Sequence, residues 1–115
     1  MKKLNAKYVN STQAGDYFQV SFEKTRDSLK DYFLIQWGFE EEDETRDEPY
    51  IESDDMRFCG RPGIKTVELN RNRFHLLLVD ENELEINFNI SDDEYNEVKR
   101  ILEIILADDN FLCND

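Results

Sequence analysis

Ten carboxylates crowd sixteen residues of this chain, in the segment EEEDETRDEPYIESDD from Glu40 to Asp55. They are Glu40, Glu41, Glu42, Asp43, Glu44, Asp47, Glu48, Glu52, Asp54 and Asp55. Arg46 is the only cation among them, so the segment carries −9 of the chain's formal −13. Three chemistries are open to such a set. Paired carboxylates do acid–base work when a rigid, partly buried setting splits their pKa values. An exposed run with Pro49 near its centre offers no such setting. Calcium wants about six to eight oxygen ligands, which an EF-hand loop supplies by alternating acids around a central Gly, closed by Glu. DETRDEPYIE has the acids but no Gly, and Arg46 and Pro49 intrude. The third chemistry is attraction to a basic protein surface. It is the one the pattern favours, with all ten carboxylates and Tyr50 as the partner-binding residues.

The other reactive side chains point to no catalyst. The single histidine, His75, lies in RFHLLLVD on the face opposite Phe74 and Leu76, the position of a structural His on the second sheet face. No Ser-His-Asp or Cys-His arrangement can be built around it. GRPG, residues 60–63, is a turn and not a phosphate loop, because Pro62 removes a backbone donor. Cys59 and Cys113 have neither CxxC spacing nor a nearby His, so both are expected to be free thiols. No enzyme, cofactor or metal is expected.

These side chains must be positioned by a single domain spanning 1–115. With 39% hydrophobic residues, eight Phe, five Tyr and one Trp, the chain can build a core. The negative charge argues against binding nucleic acid or an anionic membrane, which need clustered Lys and Arg. No apolar stretch approaches the roughly 20 residues of a membrane-spanning helix. MKKLNAKYVNST has two lysines with no apolar stretch behind them, so no signal peptide is expected and the location is expected to be cytoplasmic.

Alternation in YFQVSFEK puts Phe18, Val20 and Phe22 on one face of a strand. DYFLIQW is apolar on both faces, the mark of a central strand. The acidic segment 40–55 reads as a long exposed loop, with a short edge strand at 50–52 and with Tyr50 and Phe58 exposed beside it. CGRPG is a turn, and IKTVELN, RFHLLLVD and ELEINFNI form an antiparallel meander turning near Arg71-Asn72 and Glu81-Asn82. SDDE, residues 91–94, is a capping box, after which Tyr95, Val98, Ile101, Leu102 and Ile105 recur at helical spacing. The helix should stop near Leu106. The tail 108–115 is expected to be loose unless Phe111 and Leu112 fold back. Trp37 is expected in the core. The fold class is therefore α+β: an antiparallel sheet of about six strands, with a C-terminal three-strand meander and one C-terminal helix on a sheet face.

The segments YFLIQW, YIESDD, PGIKTVELNRNRFHLLL and LEINFNISDDEYNEVKRILEIIL, in this order from Tyr32 to Leu106, resemble the immunity protein 10 family of bacterial polymorphic toxin systems. The resemblance implies a cytoplasmic protein encoded beside a toxin, which binds that cognate toxin and blocks it. It implies no functional residue, so the site rests on charge alone. A nuclease toxin would present a basic groove that a carboxylate array could occupy, and complementary charge speeds the encounter. A monomer or weak dimer is expected. The alternative is a small acidic secretion chaperone or adaptor for an exported client, which an exposed apolar patch or a stable dimer would favour. A calcium-dependent binding module is a third reading.

Overall fold

A computed structural model describes residues 1–26, 30–38, 48–107 and 110–114. Among the described residues the strands are β1 (Lys2–Asn5), β2 (Tyr8–Ala14), β3 (Tyr17–Glu23), β4 (Tyr32–Gly38), β5 (Tyr50–Ser53), β6 (Ile64–Asn70), β7 (Arg73–Leu78), β8 (Glu83–Asn87) and β9 (Phe111–Asn114). Helix α1 (Asp92–Ile105) follows β8, and a 3₁₀ turn spans Met56–Phe58. The class is α+β, as expected. The strands divide into two sheets, where the sequence suggested one of about six strands. Sheet one has the order β1-β8-β7-β6-β9, and sheet two the order β2-β3-β4-β5.

The meander β6–β8 forms in antiparallel register, with Asn70 opposite Arg73 across the Arg71-Asn72 turn. Two strands flank it in parallel: β1 beside β8, with Lys2 opposite Leu84, and β9 beside β6, with Val67 opposite Phe111. The tail thus does fold back. The chain changes sheet at Ala6-Lys7. The Ala6 N–H donates to Asn87 of sheet one, and the Lys7 N–H to Glu23 of sheet two. Sheet two is antiparallel throughout, with β4 interior as its two apolar faces suggested. Gly15, at φ +61°, opens the two-residue turn joining Ala14 to Tyr17. A left-handed residue fits the twist of such a hairpin, and Gly adopts it without steric cost.

Between the sheets lies one hydrophobic core. Phe22 and Phe33 of sheet two meet Phe74 of sheet one at ring-centroid distances of 5.1 and 5.7 Å, and Phe88 lies 5.8 Å from Phe22. Tilted rings at this spacing add to the gain from burial, which is about 1.5–3 kcal/mol for a Phe. Helix α1 starts on the expected capping box: the Glu94 N–H donates to Ser91 Oγ, and the Ser91 N–H donates to the Glu94 carboxylate. Its buried residues, Tyr95, Val98, Ile101, Leu102 and Ile105, are those the periodicity picks out. It packs against β2, β3 and β4, while the Tyr95 hydroxyl lies 3.5 Å from the Cys113 thiol of β9. Trp37 is half-buried against the core. Phe58, expected at the surface, is fully buried. The 3₁₀ turn that carries it is capped by Asp55, which turns the chain inward there.

Candidate functional site

Of the predicted partner-binding residues, Glu40, Glu41, Glu42, Asp43, Glu44 and Asp47 lie outside the described residues. Glu48, Tyr50, Glu52, Asp54 and Asp55 are described, and they are not equivalent. The segment 50–53 is strand β5 at the edge of sheet two, and only partly a loop. Its outer edge is closed at one point, because Ile51 and Gly60 exchange two backbone hydrogen bonds of 2.8 Å. Gly60 reaches this position at φ +93°, a conformation other residues rarely adopt. The bridge blunts an edge that would otherwise offer free donors and acceptors.

Asp54 and Asp55 are bound within the molecule. Asp54 accepts from Lys2 Nζ at 3.1 Å and from the Asp31 N–H at 2.9 Å. Burial opposes its ionisation, but these two donors together hold its pKa below the usual carboxylate range. Asp55 accepts from the Arg57 side chain at 2.7 Å and from the Arg57 N–H at 3.0 Å, with Lys2 Nζ at 3.5 Å. The Arg57 guanidinium holds its carboxyl well below the usual range. Lys2 belongs to sheet one, so the pair ties the end of β5 to the N-terminal strand. Glu48 is half-buried and its carbonyl accepts from Arg61 at 3.1 Å. Its Oε2 is shut away from solvent with no hydrogen-bond partner among the described residues.

Glu52 behaves differently. It points to the outer face of sheet two, where the Tyr32 hydroxyl donates to Oε2 at 3.1 Å and the Tyr50 hydroxyl to Oε1 at 3.0 Å. No ammonium or guanidinium among the described residues pairs with it. Burial, then the Glu52 carboxylate, push the Tyr32 phenol up to about 12, and the same carboxylate raises Tyr50. The phenols therefore stay neutral donors. Further along this face, Tyr17 Oη lies 2.5 Å from an amide oxygen of both Gln19 and Gln36. A phenol has one hydrogen, so one of the two amides must turn its NH₂ to the phenol oxygen.

On the outer face of sheet one, His75 Nε2 lies 2.6 Å from Glu83 Oε2. Arg73 pairs with Glu85, and Lys3 approaches the same carboxylate. His75 Nδ1 is buried without a partner among the described residues. Cys59 and Cys113 are not joined in a disulfide. Among the described residues no three His, Cys, Asp or Glu side chains gather as for a metal ion, and no helix is long and apolar enough to cross a membrane.

No model of a known protein family matches the chain, and no curated protein matches it. The family resemblance therefore rests on the residues quoted for it and on nothing further.

Proposed function

We propose that this chain is an immunity-type protein, which binds a cognate bacterial toxin in the cytoplasm of the producing cell and blocks it by occlusion. The observation that carries the reading is the placement of charge. The segment 40–55 holds −9 of the formal −13, and its part before β5 joins β4 to β5 of one sheet. Its last two carboxylates are neutralised from outside by Lys2 and Arg57. Most of the segment's formal charge belongs to residues upstream of them in sequence, and β5, which follows, belongs to a sheet whose outer face carries half-buried tyrosines. Such a surface suits a basic protein partner, since complementary charge speeds encounter and aromatic side chains supply contact area. A nuclease is the toxin class with the most suitable basic groove. The role is one of binding, with no catalytic step and no cofactor.

Co-expression tests this reading. The large open reading frame adjoining the gene is expressed in a sensitive bacterium with and without this chain. Growth arrest relieved by the chain, with a stoichiometric complex on pull-down, is the expected result. Arrest that the chain does not relieve, with no complex, would overturn it and turn the search to an exported client.

A further inference from the structure

Four of the chain's five tyrosines share the outer face of sheet two. The register sets them in rows across the strands. Tyr8, Glu23 and Tyr32 form one row; Ser21, Leu34 and Glu52 the next; Gln19, Gln36 and Tyr50 the third; Tyr17 lies beside Gly38 at the end. Helix α1 covers the opposite face of this sheet, where Phe18, Val20, Phe22, Phe33 and Ile35 are buried. On the tyrosine face Tyr8, Tyr17, Tyr32, Tyr50 and Glu52 are all half-buried and so keep part of their surface accessible.

We propose that this face docks a basic protein surface, and that the Glu52 carboxylate, flanked by the phenols of Tyr32 and Tyr50, receives an arginine or lysine of that partner. Three observations carry it. Glu52 is half-buried, yet its described partners are two neutral hydroxyls and no cation. A carboxylate offers about four lone-pair sites and the phenols take two, which leaves room for a forked guanidinium donor. β4 ends at Gly38 and β5 begins at Tyr50, so both anchors of the acidic connection stand at the Tyr17–Tyr50 end of the sheet, and the chain's net negative charge would draw a basic partner. The opposite corner is already occupied by a cation: the Arg26 guanidinium lies 4.9 Å from the Tyr8 ring centroid. The docking area is therefore the Tyr32–Glu52–Tyr50–Tyr17 portion. Tyr rings also offer large contact area at low conformational cost, which suits binding.

This inference deepens the immunity reading but can be tested apart from it. The probe is a capped Gly-Arg-Gly-Arg-Gly peptide, titrated into the ¹⁵N-labelled full chain and followed by NMR. The largest amide shifts are expected at Tyr32, Gln36, Tyr50 and Glu52. Glu52→Gln should weaken binding about tenfold, as loss of a paired charge does. Tyr50→Phe, which keeps the ring and removes one hydroxyl, is the second variant. A variant with Glu41, Glu42, Asp43 and Glu44 changed to their amides should weaken binding in a salt-dependent way yet keep the shift pattern. Shifts confined to residues 40–48, or an affinity untouched by Glu52→Gln, would overturn the proposal. Peptide binding at the face with no toxin captured in co-expression would retain the face and remove the immunity role. Toxin captured equally well by Glu52→Gln would do the reverse.

Discussion

Glu52 and Asp55 stand three residues apart in one acidic segment, yet the fold uses them oppositely. Asp55 is bound by Arg57 and Lys2, while Glu52 is left with two phenols. Sequence shows only a run of acids, because the cations that neutralise Asp54 and Asp55 come from a strand more than fifty residues away and from a capping turn. The two fates predict different pH behaviour. A carboxylate whose folded pKa is depressed stabilises the fold above its unfolded value, near pH 4, and that contribution is lost as pH falls through the folded value. Asp55→Ala should therefore cost about 1 kcal/mol at pH 7, and its difference from the parent chain should shrink below about pH 3, as urea melts at several pH values would show. Tyr32 has the opposite sign. Its phenol is raised to about 12, so its contribution is complete below pH 10 and lost as pH climbs from 10 through 12. Tyr32→Phe should remove part of the alkaline fall in stability and the latest phase of the tyrosinate absorbance titration. At Ser91 the capping box was legible from SDDE alone, since both partners lie within four residues. Ser91→Ala should cost about 1 kcal/mol by thermal or chemical denaturation.

At the scale of elements, the strands that declared themselves are those with one dry and one wet face. In β3 and β8 apolar and polar residues alternate cleanly, and β4 is apolar on both faces as an interior strand should be. Three strands did not show. β1 and β9 are four residues each and pair in parallel with distant partners, so no local turn announces them. β2 reads YVNSTQA, with only Val9 buried, because it forms a sheet edge. Gly15-Asp16 between two Tyr-bearing runs was the available signal, since it is a two-residue hairpin turn. The tyrosine face stayed hidden for the same reason: its members sit on four strands, and only the register brings them together. Strand β9 has a measurable role. Phe111 and Cys113 pack against the core and β9 covers the edge of β6. Removing residues 110–115 should lower stability by about 2 kcal/mol or more, with amide exchange accelerating first in Val67–Asn70.

For the whole molecule, charge and fold are separable. Changing Glu41, Glu42, Asp43 and Glu44 to amides removes four charges from a connection between strands. Folding should stay nearly intact, while association with a basic partner should slow and its salt dependence should flatten. Stopped-flow mixing at two salt concentrations reads both. Sheet one has a consequence of another kind. Its β1 pairs with β8, some eighty residues further along the chain, with Lys2 opposite Leu84. Its other edge, β9, is near the end of the chain. Neither flank of the meander can close while the ribosome still holds the C-terminal third. Loop closure over such distances precedes any reward from pairing, which places folding in the slow, millisecond-to-second range. On the proposed immunity reading, protection would begin only once β8 and β9 had been made and both flanks had closed. On that reading, a cell making such an inhibitor together with its toxin would need the inhibitor to be made and folded first.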